Sequence, residues 1–197
     1  MSSIFYRGQF DDYKVSDLTP ALESVVEAYS RDSAWGKKRK TSVFLSHKHD
    51  DLDDMKGVIG MLEREFYVNV YIDSMDGAMP KTTCGETASR IKGKINDCDK
   101  FILLATEGAI ESKWCNWELG FGDAKKSTNK NIAIFPMKDT ILSSYKGSEY
   151  LEIYPHIIEE NGLSKYKDGR IIEKGYYVVE KRNGTNYYTS LKTWLSR

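Results

Sequence analysis

Three polar clusters in this 197-residue chain carry the residue types that chemistry needs. Ser46-His47-Lys48-His49-Asp50-Asp51 follows one short apolar run, and Asp73-Ser74-Met75-Asp76 follows another. Cys84-Gly85-Glu86-Thr87 opens a helical pattern shortly afterwards. These clusters offer carboxylates, hydroxyls and imidazoles. Cys84 and Cys115 have no legible base partner, which argues against cysteine catalysis. The three histidines, His47, His49 and His156, have no cysteine near them in sequence, so no metal site is legible. Each candidate also has a plain reading. Glu86 at a helix start is favourable against the helix dipole whatever its function. Ser46 can cap the region that follows it, and Asp73 can order its loop by bonding backbone. His47 and His49 read as loop histidines rather than general bases.

The elements that must position these clusters alternate along the chain. Ser42-Val43-Phe44-Leu45-Ser46 is a short apolar strand, and Leu52, Met55, Ile59, Leu62 and Phe66 recur at helical spacing. Val68 to Ile72 is a second strand, and Ala88, Ile91, Ile95 and Cys98 mark a second helix. Phe101 to Ala105 is a third strand and Asn131 to Phe135 a fourth, with a helix around Trp114 between them. Short, continuous apolar strands that alternate with helices predict a parallel sheet covered on both faces, a doubly wound, flavodoxin-like α/β fold. Such folds gather ligands at the carboxyl ends of their strands, which is where the three clusters fall.

The flanks depart from this rhythm. Thr19-Pro20 followed by Leu22, Val25, Val26 and Tyr29 predicts a helix, so residues 1–40 read as an N-terminal extension. Lys37-Lys38-Arg39-Lys40 reads as a solvated linker. Residues 41–160 form the main domain. In residues 161–197, two aromatic and β-branched runs, Tyr176 to Glu180 and Asn186 to Thr189, flank Asn183-Gly184, which predicts a hairpin. Leu191 to Leu195 reads as a last helical turn packing Trp194 and Leu195 inward.

Composition narrows the setting. Lysine plus arginine equals aspartate plus glutamate at 29 each, so no global field recruits nucleic acid or an acidic membrane. No apolar run approaches the roughly 20 residues that span a bilayer. Three cysteines without paired spacing suit a reduced, cytoplasmic protein.

Ser112-Lys113-Trp114-Cys115-Asn116-Trp117-Glu118-Leu119 is the most specific stretch of the chain. By packing alone, Trp114 anchors a helix start, Cys115 behaves as a small hydrophobe, and Trp117 and Glu118 are structural. As S-x-W-C-x-x-E-L after a short strand, it resembles the Toll/interleukin-1 receptor (TIR) domain family in its plant and bacterial form. Val43-Phe44-Leu45-Ser46 is similar to that family's first strand, and Tyr71-Ile72-Asp73 to the end of its second. Ser74 to Pro80 falls where the family has the loop that links TIR domains to one another. Gly85-Glu86 falls where its catalytic members carry a glycine-acidic pair, and Tyr154-Pro155-His156-Ile157 resembles a segment found after the fourth strand in bacterial members.

The resemblance implies an enzyme that consumes NAD, cleaving its nicotinamide–ribose bond with Glu86 as the essential carboxylate. Ser46, His47, Asp73, Ser74 and Trp114 would bind the substrate, and no metal would be needed. The product would be ADP-ribose or a cyclic ADP-ribose isomer, and neighbouring TIR domains would complete the site by self-assembly. A stand-alone bacterial TIR further resembles the TIR component of Thoeris anti-phage defence systems, whose nucleotide product activates a separate effector. The main alternative is a non-catalytic TIR adaptor that acts by assembly, with Ser74 to Pro80 as its working surface. Nucleoside deoxyribosyltransferases share the architecture but do not explain the Trp-Cys-x-x-Glu-Leu motif.

Overall fold

The alternation of side chains along the apolar runs decides how the layers form. The computed structural model describes residues 4–14, 40–73, 84–128 and 130–197. In chain order its elements are β1 (Phe5–Tyr6), β2 (Ser42–Ser46), α1 (Leu52–Phe66), β3 (Asn69–Tyr71), α2 (Gly85–Asp97) and β4 (Lys100–Ala105). There follow α3 (Glu107–Glu111), α4 (Lys113–Lys126), β5 (Ile132–Lys138), β6 (His156–Glu160), β7 (Gly175–Arg182), β8 (Thr185–Ser190) and α5 (Leu191–Leu195). The main sheet runs β3-β2-β4-β5-β6-β7-β8. It is parallel from β3 through β6 and antiparallel from β6 to β8. This is the α/β architecture expected from the alternating pattern, with the C-terminal hairpin extending the same sheet.

Successive strand residues point to opposite faces, and each face builds its own core. Val43, Leu45, Ile102, Leu104 and Phe135 pack under α1 and α5, with Met55, Val58, Leu62 and Trp194 among their neighbours. Phe44, Phe101, Leu103 and Ile134 pack under α2, α3 and α4, against Ile91, Ile95, Ala109, Cys115 and Leu119. Because β2 and β4 are buried on both faces, they read in sequence as unbroken apolar runs.

The hairpin turn is set by its two central residues. Asn183 and Gly184 both take positive φ, 48° and 71°, as a two-residue turn between right-twisted strands requires. The register from Tyr177↔Ser190 to Arg182↔Thr185 follows from that turn. α5 buries Leu191, Trp194 and Leu195, as its sequence predicts.

Three short elements have no strong local signal and are absent from the sequence reading: β1, α3 and β6. β6 pairs with β5 at a single position, Ile134↔His156, and is fixed mainly by its ladder with β7. β1 pairs with the far end of β5, Phe5 opposite Met137. Phe5 is fully buried and stacks on Phe135 with centroids 4.2 Å apart. The described start of the chain is therefore built into the core. α1 accommodates it through two glycines: a Cβ on Gly57 would sit 2.7 Å from the Phe10 carbonyl oxygen, and one on Gly60 would run into that of Tyr13. The helix expected over Thr19 to Tyr29 and the loop from Ser74 to Pro80 lie outside the described residues.

Candidate active site

The carboxyl end of β2 delivers Ser46 and His47, both buried, to the top of the sheet. β3 lies beside β2 and ends just before Asp73, whose Oδ1 is 3.9 Å from His47 Nδ1. From the other core layer comes α4. Ser112 caps it by accepting from the Cys115 N–H at 3.3 Å. Its buried stripe is Cys115, Glu118, Leu119 and Gly122, the i, i+3, i+4, i+7 spacing of a helix face on a sheet. Gly122 makes the approach close: a Cβ there would lie 2.9 Å from the Phe101 ring. With α4 held that near, Glu118 reaches the end of β2, and Ser46 Oγ donates to Glu118 Oε2 at 2.5 Å.

Glu118 is the unusual group of this site. It is 1% exposed, and its Oε1 has no hydrogen-bond partner among the described residues. Burial, with the negative charge of Asp73 adding to it, pushes its carboxyl up to about 8, against the opposing pull of the Ser46 hydroxyl and the Trp114 indole. His47 is pushed down from its ordinary value by burial, with the charge of Asp73 opposing. Near neutral pH the two groups thus tend to be uncharged in a desolvated setting. Trp114, one turn before Glu118, stacks on Trp117 with centroids 5.0 Å apart, and Trp117 in turn on Phe121 at 6.3 Å. These rings are partly exposed and offer flat faces beside the carboxyl.

The expected site residues thus divide. Ser46, His47, Asp73 and Trp114 come together around Glu118. Ser74 lies outside the described residues. Glu86, in the first turn of α2, has a side chain 64% exposed and ion-paired to Arg90 at 3.1 Å, one turn on. Its partner is on its own helix rather than in the cluster. The Cys84 N–H donates to Thr87 Oγ1 at 3.2 Å, which holds that helix start. Burial pushes the thiols of Cys98 and Cys115 up to about 12 and about 11, so neither is a nucleophile at neutral pH.

Glu118 carries a signal in the sequence that packing alone does not explain. An acidic side chain three residues after Cys115 and one before Leu119 sits inside the apolar stripe of its helix, where charge is costly unless it has work to do. Beside this cluster, Arg7 donates to Asp51 and Asp54, each at 2.6 Å, and to Asp139 at 3.1 Å. Buried Asp51 in turn accepts from Thr106 Oγ1 at 2.6 Å. Arg7 so ties the start of the chain to the loops after β2, β4 and β5.

No group of three or more His, Cys, Asp or Glu placed to hold a metal ion occurs among the described residues. No described helix is long and apolar enough to cross a membrane. No protein-family model matches the chain. It is 26% identical over 195 residues to the probable 3' cyclic ADP-D-ribose synthase ThsB' of Bacillus cereus (strain MSX-D12), covering 98% of this chain and 93% of that protein. It is also 28% identical over 156 residues to a tryptophan decarboxylase of Clostridium sporogenes (strain ATCC 15579), covering 74% of this chain but 33% of that one. The alignment that runs through both chains nearly end to end is the first: this protein is a distant, full-length homologue of a probable 3' cyclic ADP-D-ribose synthase.

Proposed function

We propose that the chain is a TIR-type enzyme that breaks the nicotinamide–ribose bond of NAD, with Glu118 as the carboxylate facing the reacting sugar. The observation that carries this reading is the state of Glu118: buried at the carboxyl end of β2, one oxygen fixed by Ser46, the other without a partner. The name of the full-length homologue supports the substrate class. Breaking the C–N bond sends its electron pair to the nicotinamide ring, which loses its positive charge, while positive charge develops on the ribose. A fixed carboxylate beside that ribose stabilises the charge as it forms, and stabilises it more strongly in a desolvated site than in water. NAD brings a cationic ring, so its arrival favours the ionised form of Glu118, whose proton leaves to solvent as the substrate binds. The ribosyl cation is then captured by water, which loses a proton to give ADP-ribose. Capture by a hydroxyl elsewhere in the same molecule, again with loss of a proton, gives a cyclic isomer.

Trp114 and Trp117 would supply flat surface for the nicotinamide and Asp73 would hold ribose hydroxyls, while Ser46, fully buried, would act through Glu118. Glu118 is favoured over Glu86 because Glu86 is exposed to water and neutralised by Arg90. The product would act as a diffusible signal to a separate effector in anti-phage defence, with self-assembly completing the site. Incubating NAD with the protein at high concentration, with and without extract of phage-infected cells, and resolving products by chromatography and mass tests the reaction. Loss of NAD with release of nicotinamide is expected, and the mass of the second product separates hydrolysis from cyclisation. Intact NAD in every arm would favour the adaptor instead.

A further inference from the structure

A cavity of about 520 Å³ lies at the other end of the sheet. It is bounded by Lys100 at the start of β4, by Asn131 just before β5 and by Pro155 just before β6. In a parallel sheet these are the amino ends, so this cavity is remote from Ser46, Asp73 and Glu118. Its outer wall is one face of the hairpin: Val178, Glu180 and Arg182 on β7, opposite Thr189, Tyr187 and Thr185 on β8.

The lining is cationic although the chain as a whole is neutral. Lys100, Lys130, Lys167, Arg170, Arg182 and Arg197 face two acidic side chains, Asp168 and Glu180. Arg170 is paired to Asp168, and Glu180 is shared by Arg182 and, at 4.0 Å, by Lys130. Lys100 is the telling member. It is 1% exposed, its ammonium donates to Asn131 Oδ1 at 2.5 Å and lies 4.7 Å from the centre of the Trp194 ring. No carboxylate lies within ion-pair distance of it among the described residues. Burial pushes it down to about 8, with the charge of neighbouring Asp99 opposing. A desolvated cation in a cavity wall, with no carboxylate in contact, favours an anionic occupant.

Aromatic rings line the same space. Tyr187 is 51% exposed, and Arg182 lies 5.3 Å from its ring centre. Tyr166 lies under Arg170 at 5.4 Å. Trp194 is locked by its indole N–H donating to the Lys130 carbonyl at 2.8 Å. The volume falls in the range of roughly 300–1,000 Å³ that small-molecule sites occupy.

We infer that this cavity is a binding site for a nucleoside diphosphate, with the phosphates on Lys100, Lys130 and Lys167 and the base against the tyrosines of the hairpin. Phosphate recognition alone would leave the exposed ring of Tyr187 unused, and base stacking alone would leave the buried charge of Lys100 uncompensated. The site is independent of the chemistry proposed at Glu118, and it gives the hairpin a role as the cavity's outer wall.

Equilibrium dialysis of the whole chain with radiolabelled ADP, with pyrophosphate and with adenosine tests the inference. ADP should bind at least tenfold more tightly than either fragment. Lys130→Glu together with Lys167→Glu, both in solvent-facing positions that leave the fold intact by circular dichroism, should weaken ADP at least tenfold. Tyr187→Ala should narrow the gap between ADP and pyrophosphate, while Glu118→Gln should leave ADP affinity unchanged. Absence of ADP binding, equal binding of pyrophosphate or adenosine, or full affinity in the double lysine variant would each overturn the inference.

Discussion

Ser46 and Glu118 are 72 residues apart in the chain and joined by a 2.5 Å hydrogen bond at the carboxyl end of β2. The bond crosses from the strand layer to α4 and fixes one oxygen of a buried carboxyl. This single contact relates the fold to the chemistry. It exists because β2 ends at Ser46 and because Gly122 lets α4 lie against Phe101.

The raised carboxyl of Glu118 has a consequence for stability. The folded chain holds a proton, up to about pH 8, that the unfolded chain releases near 4.5. Its contribution is therefore most favourable at low pH, is lost as pH rises through that window, and is constant above it. Glu118→Gln removes this dependence. The variant should match the wild type at pH 5 and exceed it at pH 9, by up to about 5 kcal/mol. Denaturant melts at the two pH values check this. A variant less stable than wild type at pH 9 would contradict the burial argument.

In the proposed reaction the same group would shape the pH–rate profile. kcat/KM reports the free protein, so it should rise with pH through about 8 as Glu118 ionises. kcat reports the complex, in which the cationic nicotinamide favours the carboxylate, so its limb should lie at lower pH. His47, already lowered by burial, should add no limb above neutrality. Initial rates of nicotinamide release from pH 5.5 to 9.5 measure both limbs. Coincident limbs would show that no charge is sensed between ring and carboxyl.

Ser46→Ala removes the hydroxyl that fixes Glu118 Oε2. Loss of a hydrogen bond to a charged group is worth roughly 1.5–3 kcal/mol. That predicts a fall in kcat of about 10- to 150-fold, with KM changed far less. A rise in KM alone, at unchanged kcat, would assign Ser46 to substrate binding rather than to orienting Glu118.

At Gly60, an added methyl would meet the Tyr13 carbonyl, which is backbone and cannot swing aside. Gly60→Ala should destabilise the chain by on the order of 1–3 kcal/mol, even though alanine is the better helix former. Hydrogen exchange should show the loss first in Phe5 to Tyr13, the segment that Gly57 and Gly60 admit. Unchanged protection there would mean that the segment packs without depending on α1.

The sequence shows the fold wherever a pattern is local. α1 follows from the spacing of Leu52 to Phe66, and the hairpin from Asn183-Gly184. β6 escapes because it borrows its place from β7, and α3 because five residues are too few to show a period. The site is legible in part for the same reason. Ser46, His47 and Asp73 stand at strand ends, and strand ends can be read. The burial of Glu118 depends on the α4 contact through Gly122 and on a serine 72 residues away, so neither its depth nor its neutrality is visible in the local motif. Glu86 reads well locally because a helix start is a local feature, whereas its pairing with Arg90 needs the side-chain geometry.

Glu118 and Glu86 compete for one role, the carboxylate that faces the sugar. The direct measurement is NAD turnover, followed by nicotinamide release, in wild type, Glu118→Gln and Glu86→Gln at matched concentration and confirmed folding. With Glu118 in that role, Glu118→Gln abolishes release to background, while Glu86→Gln retains most of it. Abolition in Glu86→Gln with turnover retained in Glu118→Gln would contradict that assignment and move the chemistry to the start of α2.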